Sequence, residues 1–581
     1  MQLKNYLPIL KWLPDYNKQK LRGDLIAGFT TGVMLVPQAM AYAMIAGLPP
    51  IYGLYAALIP LIIYAIFGTS MQLAVGPVAI VSMLVMTGVS QFAEPESELF
   101  IQLAILTGLL AGLIQLAMGV LRLGMLVNFL SHPVLSGFTS AAAVIIGLGQ
   151  FKHFLGIEIE RSSYVHEILW NIGSHIHETH LLTFGIGLGG IVLIKLLGKI
   201  HSAFPAALVT LFICTLAAYY LDWEAQGVLI IGAVPTGLPS FSIPSFTFEQ
   251  MNQLIPMSIT IALISFVESI AIAKTLEARH KDYKIDANQE LVALGLAKFV
   301  GAFFQSFPTT GSFSRSFIND EAGSQTNIAG IISMVFVALV LIFFTPLFYF
   351  MPKAILASII MISVFGLIDF KEPKYLLRSD RSDFIMLMMT FVTTLIMGIG
   401  TGILTGILFS LGEVILRSTK PHMTILGQIP NTVYYRNTKR YPEALKRKEM
   451  LIIRFDAELY FANVNHFKET LEEFIAAKGE ELQVIILEAS SIHALDSTGM
   501  HTLEEVIEDC ANNDVSFYFT GVIGPVRDAF HKGKLISTIG RENQFMRVHD
   551  AVEYFDEMTA EKTAERNFTR ALQTNYGKRK S

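Results

Sequence analysis

The sequence predicts a polytopic α-helical membrane protein that ends in a water-soluble α/β domain, and three observations carry that expectation. The first is composition: mean hydropathy is +0.51, 52% of residues are hydrophobic and only 16% are charged, whereas a soluble protein has about a quarter charged. The second is distribution. Charges are sparse from Gly23 to about Ser418 and return to soluble density from about Lys420 onward. The third is a change of pattern after Arg417, where apolar runs give way to alternating strand-like and helix-like stretches. A chain of 581 residues is also too long for one compact core. The expected organisation is an amphipathic cytoplasmic segment over 1–22, a transmembrane domain over 23–420, a soluble domain over 421–560 and a polar, mobile tail over 561–581. The net charge of -5 averages two unlike regions and points to no partner; no nucleic-acid partner is expected.

A helix needs roughly 20 apolar residues to cross the hydrocarbon core. Candidate spans begin near residues 24, 48, 76, 99, 126, 181, 203, 254, 287, 311, 328, 353, 383 and 401, about fourteen in all, the third, tenth and twelfth being short. The leader shows no cleavable signal pattern, because Lys11 and Pro14 interrupt its apolar stretch. Short cytoplasmic loops retain Lys and Arg. Lys4, Lys11, Lys18, Lys20 and Arg22 therefore place the N-terminus inside, and an even count puts Arg279, His280, Lys281 and Lys284 inside too, with Lys371, Lys374, Arg378 and Arg381. The loops then expected outside carry Glu94, Glu96 and Glu98, or Asp222, Glu224 and Glu249. Both termini are expected in the cytoplasm.

Two segments depart from simple lipid-facing helix: GTSMQLAVGPVAIVSMLV (Gly68–Val85) and FFQSFPTTGSFSRSFIND (Phe303–Asp320). Each has a short extended stretch, then Gly and Pro, then helix formers. Irregular backbone at membrane depth is tolerated only when buried in protein or lining a wet cavity, and paired interruptions in two halves of a chain point to a transporter's binding site. A helix starting in mid-membrane leaves its first N–H groups unpaired and adds about half a positive charge there. Two such starts facing one another cradle a small anion. Ordinary proline kinks would explain one such segment more readily than two. The expected ligands are backbone N–H groups of Gly76, Pro77 and Val78 on one side, Pro77 contributing only its place in the turn, and of Ser312, Phe313 and Ser314 on the other.

Further intramembrane polar residues stand out. Glu268 sits in LIPMSITIALISFVESIAIA, and an acid in hydrocarbon is a functional candidate by default. Desolvation favours its neutral form, so it can take up a proton and cease to repel an incoming anion. A structural pair with Arg315 or Lys274 is the alternative. Arg315, inside GSFSRS, either reinforces the positive potential of the cradle or neutralises Glu268. Gln38 and Tyr42 lie one helical turn apart on one face and can donate through an amide and a hydroxyl; Tyr42 reads equally as an interfacial tyrosine. Asn288 and Gln289 are expected to cap a helix. Cys214 and Cys510 are too far apart in environment for a disulfide framework. His132, His153, His175 and His177 lack metal-ligand spacing, and no Walker sequence appears. Neither a metal nor an organic cofactor is expected.

In the last third, Met450–Phe461, Leu482–Ser490 and Val515–Val522 read as strands. Asn465–Ala477, a stretch capped near Ser497 and one from about Val526 read as helices.

Several stretches together carry a family resemblance: PQAMAYAMIAGLPPIYGLYAAL (Pro37–Leu58), AVGPVAI (Ala74–Ile80), VESIAIAK (Val267–Lys274), NQELVALGLAKFVGAFFQSFPTTGSFSRS (Asn288–Ser316) and LDSTG (Leu495–Gly499). In this order the chain resembles the SulP/SLC26 anion transporters along nearly its whole length. The resemblance implies seven plus seven inverted repeats, a core moving against a gate, a C-terminal STAS domain and a homodimer. It implies that Gln38, Tyr42 and Arg315 surround the anion and that a Glu at 268 favours proton over sodium coupling. Some relatives hold an aromatic where this chain has Val78, so pocket size does not carry over. In related soluble anti-sigma-factor antagonists the DSTG hydroxyl is phosphorylated, here Ser497 or Thr498; a helix N-cap is the simpler reading. The STAS domain is then a dimer contact or a docking place for a cytoplasmic regulator.

The leading expectation is secondary active transport of a small inorganic anion, sulfate first, by proton symport and alternating access across a plasma membrane, in bacteria the inner one. Bicarbonate or dicarboxylate symport, with sodium, and a passive anion channel or exchanger are the alternatives. An enzyme or sensor on a membrane anchor lacks a catalytic constellation.

Overall fold

The computed structural model describes residues 7–125, 131–159, 162, 164–200, 204–232, 237–245 and 247–577. Lys4, the span starts expected near 126 and 203, and the last four residues of the tail lie outside the described residues. The chain divides into two compact units, Met1–Ser410 and Leu411–Ser581.

The first unit is helical. Among the described residues of the chain six helices are long and apolar enough to cross a membrane: Lys18–Ile45 (α1), Glu98–Val120, His132–Leu155, Leu181–Gly198, Phe248–His280 and Gly400–Thr419, the last of which runs past the unit boundary at Ser410. Shorter apolar helices run over Ile51–Phe67, Ala79–Val89, Ala206–Tyr220, Ile328–Phe343 and Lys353–Phe365. The first of these is two pieces, Ile51–Tyr55 (α2) and Ile59–Phe67 (α3). Val75–Gly76 (β1) precedes Ala79–Val89 (α4), Glu98–Val120 is α5, Phe248–His280 is α6 and Ala287–Ala302 is α7. Thr310–Gly311 (β2) then leads into Phe313–Glu321 (α8). The helix starts follow their sequences. Asn17 caps α1 by accepting from the N–H groups of Gln19 and Lys20 at 3.0 Å. Thr247 and Gln250 form a reciprocal capping box on α6.

Small residues set a close crossing of α5 and α7. A Cβ on Gly112 of α5 would stand 2.8 Å from the Gly295 carbonyl of α7, and one on Gly295 would stand 2.9 Å from the Gly112 carbonyl. The two backbones touch there, as small residues permit in membrane helices. Three residues further along each helix come Gln115 and Lys298, which the crossing brings into contact, Lys298 Nζ donating to Gln115 Oε1 at 2.9 Å.

Glu290, on α7, is fully buried and pins the stretch that leads into β1. Its Oε1 accepts from the Thr69 N–H and hydroxyl, both at 2.6 Å, and from the Ser70 N–H at 3.3 Å. Its Oε2 accepts from the Tyr64 hydroxyl at 3.0 Å. Removing the acceptor orphans buried donors, each worth about 1–3 kcal/mol. Glu290→Ala is expected to destabilise the protein by about 3–5 kcal/mol, read as a lowered unfolding midpoint in detergent. A midpoint equal to wild type would remove Glu290 as an anchor.

The second unit is an α/β sandwich. Its strands are Met423–Gln428 (β3), Tyr435–Asn437 (β4), Met450–Phe455 (β5), Val484–Glu488 (β6), Ser516–Thr520 (β7) and Gln544–Phe545 (β8), in spatial order β4-β3-β5-β6-β7-β8. β5 to β8 pair in parallel, while β3 pairs antiparallel with both β4 and β5. Continuous apolar runs such as Val484–Leu487 suit inner parallel strands covered on both faces. Leu451, Ile453 and Phe455 pack with helices Val464–Lys478 (α9), Ser497–Asn512 (α10) and Gly524–Lys532 on one side. Ile452, Val484 and Ile486 pack with Ala551, Val552 and Phe555 of Val548–Gly577 on the other. That last helix runs through residues expected as a mobile tail; its start is tied to the sheet by its apolar face, which the polar composition beyond Glu561 concealed. Strand β3 and the edge strands β4 and β8 were also unread, being short or preceding the strong apolar runs.

The α10 cap differs from the expectation at Ser497. Asp496 is the N-cap: its Oδ1 accepts from the Gly499 N–H at 2.7 Å and its Oδ2 from the Phe461 N–H at 3.0 Å. A carboxylate at this position competes better for the helix N–H groups and the dipole than a hydroxyl. Ser497 and Thr498 occupy the first turn, both exposed. Asp496→Ala is expected to cost about 1–2 kcal/mol in urea unfolding of the full chain's second transition, and Ser497→Ala far less; the reverse order would restore Ser497 as the cap.

Candidate functional site

The two interrupted segments meet. β1 and β2 pair antiparallel, Val75 opposite Gly311 and Gly76 opposite Thr310, and the Ser312 N–H extends the ladder to the Ala74 carbonyl at 3.0 Å. Ser316 of α8 takes the Ala74 N–H on its hydroxyl at 2.9 Å. The helices that follow, α4 and α8, start at Val78 and Ser312, both in extended backbone and neither offering a side-chain cap. Two uncapped helix starts thus flank a two-stranded hinge in the interior of the first unit. Their free N–H groups and dipoles make that place electropositive.

Hydroxyls of α6 hold the hinge. Ser269 Oγ accepts from the Gly311 N–H at 2.9 Å and lies 2.7 Å from Thr310 Oγ1, which donates to the Ser265 carbonyl at 2.6 Å. α6 therefore presents Glu268 on the helix that clamps β2.

Arg315, third residue of α8, is 1% exposed and spans the two halves. Its Nη1 donates to Gln38 Oε1 of α1 at 3.2 Å and its Nη2 to the Pro77 carbonyl at 2.9 Å, while its Nε has no partner. Gly76 allows this approach, since a Cβ there would stand 3.2 Å from Nη2. Gln38 and Tyr42 are both buried. Gln38 turns its oxygen to Arg315 rather than acting there as the donor expected. Tyr42 lies within electrostatic range of both Arg315 and Glu268. Val78 and Ser312 are buried; Phe313 and Ser314 are exposed, with the Phe313 ring against Phe317 at 4.5 Å between centroids.

Neither ion pair weighed for Glu268 forms. Lys274 binds Glu277 at 2.7 Å, and the Arg315 guanidinium is taken by Gln38 and Pro77. Lys274 is two turns nearer the end of α6, where Glu277 is the closer acid. Glu268 keeps a buried Oε2 without a hydrogen-bond partner, and the cations that act on it at longer range are Arg315 and Lys298. Asn288 accepts the Gly124 N–H at 2.9 Å and Gln289 donates to the Phe67 carbonyl at 2.9 Å, while the cap of α7 is Asp286. Beyond the C-terminal half of α4 lies a cavity of about 730 Å³ lined by Met83, Met86, Thr87 and Ser90 together with Ile145 and Gly149.

Sequence reasoning missed Lys298 and Gln115. Lys298 is a lone cation in LVALGLAKFVGAFF, and the rule that singled out Glu268 applies to it equally. Gln115, uncharged, gives no such signal; only the helix crossing reveals its role.

The Sulfate permease family model matches residues 21–390 and the STAS domain model residues 441–551. The chain is 38% identical to Sulfate transporter 4.1, chloroplastic, of Arabidopsis thaliana, over 94% of this chain and 82% of that one. It is 33% identical to High affinity sulfate transporter 2 of Stylosanthes hamata, over 96% and 87%. The fold matches the murine Solute Carrier 26 family member A9 anion transporter in its inward-facing state, with a TM-score of 0.88, 24% identity and coverage of 95% and 94%. It also matches the transmembrane domain of the cyanobacterial bicarbonate transporter BicA, with a TM-score of 0.58, 22% identity and coverage of 68% and 99%. With its membrane-length helices and a STAS domain following them, this multi-pass membrane protein belongs to the sulfate permease family.

Proposed function

We propose that the protein is a secondary active transporter of a small inorganic anion, with sulfate as the substrate and a proton as the coupling ion. One observation carries the reading: the β1–β2 pairing sets two uncapped half-helix starts side by side, with Arg315 bridging them. The names of the plant relatives, which are 33–38% identical over nearly the whole chain, support sulfate. On this reading the anion sits against the N–H groups of Val78 and its successors and of Phe313 and Ser314, the expected Ser312 N–H being held instead by the Ala74 carbonyl, with Gln38, Tyr42 and Arg315 around it. Glu268 carries the proton. The membrane unit makes fourteen spans in seven-plus-seven inverted repeat, a core carrying β1, α4, β2 and α8 past a gate by alternating access. Both termini face the cytoplasm of a plasma membrane, the assembly is a homodimer, and the STAS domain receives a regulator, with Ser497 and Thr498 as exposed candidates for modification. Transport needs no enzymatic step and no cofactor beyond the coupling ion.

Uptake of labelled sulfate and bicarbonate into proteoliposomes, under imposed proton or sodium gradients, tests this. Sulfate accumulation driven by an inward proton gradient is expected. Accumulation driven by sodium, or preference for bicarbonate, would replace the coupling ion or the substrate, and uptake indifferent to both gradients would make the protein a channel or exchanger.

A further inference from the structure

Among the described residues the first unit fully buries four charged side chains, Asp24, Glu290, Lys298 and Arg315. Buried charges are normally paired or richly hydrogen-bonded. Both acids are satisfied locally by neutral donors: Asp24 accepts from the N–H groups of Gln325 and Thr326 and from the Thr326 hydroxyl at 2.6–2.9 Å, and Glu290 accepts as described above. The cations differ. No carboxylate lies within 4 Å of either among the described residues, and Lys298 donates to Gln115. Gln115 in turn donates to the Ala262 carbonyl at 2.8 Å and to Ser265 Oγ at 2.9 Å. Ala262, Ser265 and Glu268 follow at intervals of three along α6, so Gln115 anchors Lys298 to the helix face that leads to Glu268. Glu268 is the acid that acts on Lys298, and on Arg315 as well.

The remaining titratable neighbours are few. Tyr42 faces Arg315 from α1, α5 offers neutral Gln115, and from α3 Tyr64 is engaged by Glu290, which lies about 12 Å from Lys298 along α7 at 1.5 Å per residue.

We propose that Lys298 is a specificity-determining positioning residue that fits the charge of the anion site to a dianion travelling with one proton. The proposal rests on the transport reading above. Formal charges give the reason. With Glu268 ionised, Arg315 and Lys298 leave one net positive charge at the site; with Glu268 protonated they leave two, which balance a dianion such as sulfate there. Without Lys298 the same counts are zero and one, and the loaded site balances a monoanion.

The test is anion choice in proteoliposomes. Lys298→Gln removes the charge and leaves a side-chain N–H donor at the position. It is expected to lower the ratio of labelled sulfate uptake to labelled bicarbonate uptake at least ~10-fold, about 1.4 kcal/mol of discrimination, and Lys298→Arg is expected to restore it. An unchanged ratio, or equal loss for both anions, would overturn the proposal. Wild-type protein that fails to take up sulfate at all would sink the transport reading and the proposal with it, whereas normal sulfate uptake with an unmoved ratio sinks the Lys298 assignment alone.

Discussion

Glu268→Gln is expected to abolish proton-driven sulfate accumulation while leaving sulfate counterflow within about threefold of wild type. The amide is nearly isosteric with the protonated acid and stays neutral, so the substituted core is held in its substrate-accepting charge state. Counterflow needs only that state to shuttle back and forth. Net accumulation needs the proton to leave inside and the empty core to return, and an amide cannot release it. The structure leaves Glu268 Oε2 buried without a hydrogen-bond partner, so the substitution breaks no bond at that atom and a folding defect is not expected. Steady-state accumulation under an inward proton gradient should fall at least ~10-fold, the equivalent of about 1.4 kcal/mol of driving force. If the variant still concentrates sulfate with an intact dependence on the proton gradient, Glu268 is not the coupling acid. If counterflow disappears as well while the unfolding midpoint stays at the wild-type value, the carboxylate has a direct part in binding and the charge-state argument fails.

Much of the fold is legible in the sequence because bilayers demand long apolar runs and soluble sheets demand short ones. Val484–Leu487 and Phe517–Phe519 declare themselves as inner strands, and the Gly-Pro interruptions at Gly76-Pro77 and Pro308–Gly311 mark the hinge. The register is a different matter. Nothing in either segment alone says that Val75 faces Gly311; that pairing depends on Ser265, Ser269 and Thr310, which read as ordinary polar residues in a membrane helix and a loop. Partner choice was likewise hidden. Neutralising Glu268 was one of the two roles open to Arg315, yet a carbonyl and an amide oxygen take its protons, because the hinge brings the Pro77 carbonyl within hydrogen-bond reach. The Glu290 and Asp24 anchors escape for the same reason: their donors lie more than two hundred residues away in the chain.

Arg315 should be the least replaceable side chain in the membrane unit, and the reason is geometric as much as electrostatic. One planar guanidinium reaches from α8 to Gln38 on α1 and to the Pro77 carbonyl at the start of α4, so it ties both halves of the cradle at a fixed separation while supplying positive charge. Buried hydrogen bonds to a charged group contribute about 1.5–3 kcal/mol each. Loss of two of them at the binding site is therefore expected to reduce sulfate transport at least ~100-fold in Arg315→Gln. Arg315→Lys separates the two roles. A lysine keeps the charge but is a single flexible point that cannot hold two acceptors in a fixed fork, so it is expected to recover no more than about a tenth of wild-type uptake. A lysine variant at the wild-type rate would show that charge alone matters and that the bridge between the half-helices is incidental. A glutamine variant at the wild-type rate would remove Arg315 from the site altogether, and with it the claim that the two helix starts work as one.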